Sequence, residues 1–202
     1  MRDDRNRWPP LQGDGRAPLF GQGVQAQVIK LQQQTVISGA FNDCLSACGL
    51  DTAAGSGPDI ATGDTYAVRQ RRDRIVVVNG PALTDGWNDK HNVAVSDMTA
   101  AYCVISLLGP NAERVIATGT EFDSNLPSPS VSRLWHGFGI LLYQHEKPNN
   151  YRIHIRSAHL ESLWEMLARQ ISALVGLLDK PAAYADLEQK RTGTKRENAR
   201  VS

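Results

Sequence analysis

Short alternating or apolar runs, punctuated by glycine, proline and polar clusters, divide the chain into many small elements. Val24 to Ile29 alternates apolar and polar positions and predicts a strand. A glutamine link, Gln32 to Gln34, leads to a second strand over Thr35–Ser38. Phe41, Cys44, Leu45 and Cys48 then recur at helical spacing, between Gly39 and Gly49. Residues 51–64 are a loop by composition, and 65–68 with 75–78 form a hairpin around the charged tip Arg69–Arg74. Asn79-Gly80-Pro81 closes that hairpin and predicts a short helix through about Lys90. Val93 and Val95 begin the next strand. Tyr102–Leu108 is β-branched and apolar enough for a buried one. Gly109 turns the chain sharply, Pro110 suits a helix start, and Ala112, Val115 and Ile116 give that helix one apolar face before Gly119. After the loop 121–132, strands are predicted over 133–136, 138–143 and 151–156. A long helix follows Ser157, which can cap it. Its stripe is Leu160, Leu163, Trp164, Leu167, Ile171, Leu174 and Leu178, and Pro181 marks its end.

The same order occurs twice. Val36-Ile37-Ser38 and Val104-Ile105-Ser106 lie 68 residues apart. Each leads through a glycine corner to an amphipathic helix, then a glycine, a Gly/Pro/Ser loop, a hairpin and a further helix. A strand precedes each unit. Neither unit can bury its apolar sheet face alone, so the two are expected to share a core. The fold expected is α+β, from two pseudo-repeated strand–helix–hairpin–helix units with mixed, mainly antiparallel sheets. Residues 24–178 are read as one domain. Residues 1–23 are read as an extended arm and 179–202 as a charged tail.

Composition narrows function by exclusion. The chain has 202 residues, 41% hydrophobic and 21% charged, an ordinary globular balance. A formal net charge of +1 argues against a dedicated nucleic-acid binder. No apolar run is long enough for a membrane helix, and the start is not a secretory signal, so a cytoplasmic location is expected. Three cysteines fit a reducing compartment without structural disulfides. Cys44 and Cys48 read as buried apolar fillers rather than metal ligands. The five histidines are scattered, and no nucleophile elbow, dinucleotide fingerprint or phosphate loop is present.

Surface candidates are basic or aromatic. Arg133, Trp135 and His136 can project from the second hairpin as a partner contact, since Trp and Arg are common interface anchors. A half-buried tryptophan is the competing reading. Arg152, His154 and Arg156 fall on one face of the last strand, opposite Tyr151, Ile153 and Ile155, and could meet an acidic partner or simply face solvent. The tip Arg69–Arg74 reads as a phosphate or partner patch, or as a solvated turn.

From about Val24 to Arg169 the chain resembles the aminomethyltransferase (glycine-cleavage T-protein) folate-domain superfamily. Within it, the likeness is nearest to the γ subunits of heterotetrameric sarcosine oxidases. Asp97, Thr99, Leu107, Gly109, Pro110 and Ala112 fall on the superfamily's D-x-S…L-x-GP-x-A pattern, with Thr99 standing for Ser. YRIHIRSAHLESLWEML resembles its last strand and helix, and RDRIVVVNGPALTD its strand ending in Asn before an Asp. The departures are informative. Where active relatives carry Gly-Tyr-Thr-Gly-Glu, whose Glu contacts folate, this chain has Tyr143-Gln144-His145-Glu146-Lys147. Glu146 is off the pattern. The catalytic Asp would correspond to Asp85, one residue too close to Asn79, and Asp85 also has a simple role available at a helix start. The resemblance implies a non-catalytic subunit, binding no cofactor or metal itself, of a flavin-dependent complex that demethylates sarcosine or a similar secondary amine. A large partner subunit would carry tetrahydrofolate and the dinucleotide sites, with FAD, FMN and NAD all held outside this chain in a heterotetramer. Alternatives are a subunit of N-methylglutamate dehydrogenase, or a stand-alone folate-binding aminomethyltransferase.

Overall fold

The computed structural model describes residues 15–178. The expected tail, the helix end at Pro181 and the first part of the expected arm lie outside the described residues. In chain order the elements are β1 (Leu19–Gly21), β2 (Val24–Ile29), β3 (Gln34–Ser38), α1 (Phe41–Cys48), β4 (Ile60–Ala61), β5 (Tyr66–Arg71), β6 (Arg74–Val78), β7 (Gly86–Asn88), β8 (Val93–Asp97), β9 (Tyr102–Leu108), α2 (Ala112–Ile116), β10 (Ser132–Trp135), β11 (Phe138–His145), β12 (Lys147–Arg156) and α3 (Leu160–Leu178).

Two sheets stack face to face. One has the order β1-β2-β9-β12-β11-β10, with β4 added to β11; the other is β5-β6-β3-β8-β7. All these pairings are antiparallel except β4 with β11. The expectation of an α+β chain with mainly antiparallel sheets holds. Period-two alternation sorts each strand's side chains to two faces. On the outer face of the larger sheet, Ile105, Leu107, Ile153 and Ile155 pack with Leu160, Leu163 and Leu167 of α3 and with Val115 and Ile116 of α2. Burying these side chains stabilises by roughly 1.5–3 kcal/mol each. On the outer face of the smaller sheet, Ile37, Ile75, Val77 and Val95 pack with Cys44, Leu45 and Cys48 of α1. The inner faces meet through Val68, Val76, Val78, Leu141 and Tyr143. The layers therefore run helix, sheet, sheet, helix. Cys44, Cys48 and Cys103 are all free and buried. Burial pushes the Cys44 thiol up to about 11.

Three local expectations are corrected. The helix predicted after Asn79-Gly80-Pro81 is absent, and β7 forms instead, pairing with β8. Asn79 sits at φ 49°, and its side-chain oxygen accepts the Gln32 and Gln33 N–H groups, so it closes a turn across the sheet. Residues 80–90 offer too little apolar surface to support a helix, whereas the open edge of β8 offers ladder partners. Within the expected arm, Leu19–Gly21 forms an edge strand against β2. Gly21 lies so close to Ile171 of α3 that a Cβ would sit 2.5 Å from its Cγ2. Ser157 does not cap α3: its hydroxyl donates to the Ala100 carbonyl, and residues 157–159 form a short 3-10 turn.

The two units interlock. β2, which leads into the first, pairs with β9 of the second; β8, which leads into the second, pairs with β3 of the first. The order β5-β6-β3-β8-β7 therefore corresponds strand for strand to β11-β12-β9-β2-β1. Because the first expected post-hairpin helix is absent, the fourth elements differ.

Gly109 fixes the corner between β9 and α2. It has φ +115°, and an added Cβ would stand 2.4 Å from the Gly23 carbonyl oxygen. That carbonyl also accepts the Asn111 N–H, so it is held in place. Gly109→Ala is expected to destabilise the protein by about 2–3 kcal/mol, from backbone strain plus contact with a carbonyl that cannot move away. Denaturant unfolding beside a Gly49→Ala control checks this: Gly49 has φ +70° but open space around it.

Candidate functional site

The sheets enclose a chain of polar side chains whose direction follows from donor and acceptor chemistry. Gln34 Nε2 donates to the Tyr102 carbonyl, which leaves Gln34 Oε1 as an acceptor. His154 Nδ1 lies 2.7 Å from that oxygen and must carry the proton. His154 is fully buried, and its pKa is lowered to about 3, first by desolvation and then by the Arg152 charge. It is therefore neutral, and Nε2 accepts the Tyr143 hydroxyl at 2.7 Å. Tyr143 in turn accepts from the Tyr66 hydroxyl at 2.9 Å. Burial raises the pKa of both tyrosines. Every proton has a place, so the chain ties β5, β11, β12 and β3 together across the sheet interface. It continues through the Gln34 N–H to Thr99 Oγ1, and from Thr99 to Asp97.

This placement revises the sequence-derived interface. His154 is interior, not part of an exposed basic face. Trp135 does not project either: it is fully buried in the cluster beneath α2 and α3, and its Nε1 has no hydrogen-bond partner among the described residues. Strand alternation placed each on a face but could not reveal which faces were covered. His136 is exposed at φ 48°, with Nε2 3.2 Å from Thr118 Oγ1 and 2.6 Å from Gln170 Nε2. Gly119 accommodates that ring, since a Cβ there would meet it at 2.2 Å. Arg152 is half-buried; among the described residues its one side-chain hydrogen bond is Nη2 to His145 Nδ1 at 3.4 Å, and its Nε has no partner.

Arg133 and Arg156 are brought together. They border a cleft of about 180 Å³ where the gap between the sheets opens, with Gln70, Tyr102, Ser132 and Leu141. Tyr102 is the direct register partner of Arg156, and Leu141 of Ser132. Gln70 comes from the other sheet. The Ser130 and Ser132 hydroxyls donate to its backbone carbonyl and lock the two sheet edges together. Arg133 Nη1 donates to the Ser130 and Ser132 carbonyls, and burial lowers its pKa. Gln70, Tyr102 and Ser132 were not singled out from sequence, because only strand register assembles them.

The positions matched to folate chemistry make internal bonds. Glu146 Oε1 accepts the Gly63 N–H at 2.6 Å, and Gln144 bonds the Gly57 carbonyl and the Asn149 N–H. His145 Nε2 donates to the Gly63 carbonyl, and burial lowers its pKa. Neutral at pH 7, it forms no ion pair with Glu146, 3.8 Å away. The hairpin thus braces the loop around β4, through Glu146 Oε1 and the Gln144 side-chain amide. Asp85, preceding a strand rather than starting a helix, accepts the Asp97 N–H at 2.7 Å. A larger open cleft of about 620 Å³ lies along the 50–62 loop beside Tyr66. Among the described residues, no group of three or more His, Cys, Asp or Glu is placed to hold a metal ion, and no helix is long and apolar enough to cross a membrane.

These features define a two-sheet, four-layer α+β domain with a sealed polar interior and a basic cleft at one end. No protein-family model and no curated protein matches the sequence. The fold itself has a solved counterpart. A chain in the structure of heterotetrameric sarcosine oxidase from Corynebacterium sp. U-96, in complex with pyrrole 2-carboxylate, matches with a TM-score of 0.61. The match is 16% identical and covers 77% of this chain and 88% of that one. The chain therefore has the fold of a sarcosine oxidase chain, as the sequence motifs led us to expect.

Proposed function

We propose that this chain is a small, non-catalytic subunit of a cytoplasmic, heteromeric flavin-dependent complex of the sarcosine oxidase type. The complex demethylates sarcosine or a similar N-methyl amino acid oxidatively and passes the one-carbon unit to tetrahydrofolate. FAD, FMN, NAD and tetrahydrofolate sit in the partner subunits. This chain packs against the large folate- and dinucleotide-binding subunit and helps wall the space between them. The observation that carries the reading is the likeness to a chain of a heterotetrameric sarcosine oxidase over nearly all of that chain's length. The internal pairing of Glu146 and Asp85 supports a structural rather than a reacting role. The matching strand order of the two sheets supports descent of the fold from a repeated unit.

Co-expression with the flavoprotein subunits of a sarcosine oxidase-type complex provides the test. The chain is expected to co-purify with them in fixed ratio, and the complex to contain flavin and oxidise sarcosine. A stable monomer that never associates with a flavoprotein would sink the proposal. A stand-alone folate-binding protein would instead show a melting temperature that rises with tetrahydrofolate concentration; no such rise is expected for the isolated chain.

A further inference from the structure

We infer that the cleft between the sheet ends is a docking socket for an aspartate or glutamate side chain of the large partner subunit; this rests on the subunit reading above. The cleft collects hydrogen-bond donors around two guanidinium groups. Arg133 lends only Nη1 to backbone carbonyls, and the Arg156 side chain makes no ion pair or hydrogen bond among the described residues. Among the described residues, neither arginine has a carboxylate within ion-pair distance there. Glu121 and Asp123 line a second cleft that Arg133 also borders, and among the described residues neither forms an ion pair with it. Tyr102 supplies a hydroxyl, whereas that of Ser132 is already donated to the Gln70 carbonyl. The Gln70 amide makes no side-chain hydrogen bond although its oxygen is buried, so it can turn its NH2 toward an incoming acceptor.

Size selects the occupant. About 180 Å³ is room for a side-chain carboxyl and its stem, well below the roughly 300–1,000 Å³ of sites that enclose cofactor-sized ligands. The surroundings select a protein as its source. Leu134, the register partner of Gly139 at the cleft, is 65% exposed on the edge strand β10. An apolar contact beside a charge-complementary pocket suits a partner chain, with paired guanidinium groups offering fork-shaped recognition of the carboxylate.

The test uses the full chain assembled with its flavoprotein subunits. Arg156 is exposed, so Arg156→Glu is expected to leave the melting temperature of the isolated chain unchanged while weakening assembly tenfold or more, by roughly what loss of one buried charge partner costs. Arg133→Lys keeps the charge but loses the planar fork, and should weaken assembly less than Arg156→Glu. A photo-crosslinking residue at Leu134 should capture the large subunit. Wild-type assembly undiminished in Arg156→Glu and Arg133→Lys would overturn the socket while leaving the subunit reading intact. Undiminished assembly together with saturable glutarate binding, lost in Arg156→Glu, would overturn it in favour of a free carboxylate ligand. Failure of the wild-type chain to assemble at all would bring down the subunit reading and the socket with it.

Discussion

Acidification from pH 6.5 toward 3 is expected to remove on the order of 4 kcal/mol of folding stability through His154 alone. The unfolded imidazole titrates near 6.5, while the buried native one titrates at about 3. Between those values the unfolded chain binds a proton that the native chain does not. Stability therefore rises with pH across this window, is complete above about pH 6.5, and falls by about 1.4 kcal/mol per pH unit on the way down. Protonation would force Nε2 to become a donor facing Tyr143, which already donates to it, and would place a charge beside Arg152 between the sheets. His145, also held below its ordinary value, adds a loss of the same sign. Urea unfolding at a series of pH values measures the slope. His154→Phe should lower stability at neutral pH by about 1–3 kcal/mol for each partner left unpaired, Tyr143 and Gln34, yet flatten the slope. Equal slopes in wild type and variant would refute the assignment to this histidine.

Replacing Trp135 by alanine is expected to cost about 3–5 kcal/mol, enough to threaten the fold of a domain with ordinary stability. The indole is fully buried where β10 meets the α2 and α3 cluster, so truncation leaves a large cavity with little freedom to collapse. Trp135→Phe provides the discriminating comparison. The indole N–H has no acceptor among the described residues, so phenylalanine removes an unsatisfied donor along with some volume and should cost less than about 1.5 kcal/mol. Thermal unfolding of both variants separates the two outcomes. An alanine variant as stable as wild type would mean that Trp135 lies on the surface, as an interface anchor would.

The elements whose local chemistry suffices were legible in the chain. Tyr102–Leu108, the Gly109 corner, the apolar stripe of α3 and the glycine-ended α1 all follow from periodicity and backbone preference. The missing helix after Asn79 shows the limit of such reading. Its glycine–proline start was a valid local signal, but an unpaired edge on β8 outcompeted it. The site followed the same division. Arg133 and Arg156 could be named as basic residues near strand ends, yet their shared cleft depends on the register that sets Arg156 opposite Tyr102 and Ser132 opposite Leu141.

The sequence by itself determined the alternation of short strands and amphipathic helices, the α+β class and the absence of familiar nucleotide-binding motifs, because these depend on residue spacing alone. The tertiary structure alone decided that each leading strand pairs with the other unit, that Trp135 and His154 are interior, and that two arginines meet across a cleft. Those outcomes depend on which faces become covered when the two sheets stack, and on which distant groups then satisfy each buried donor and acceptor.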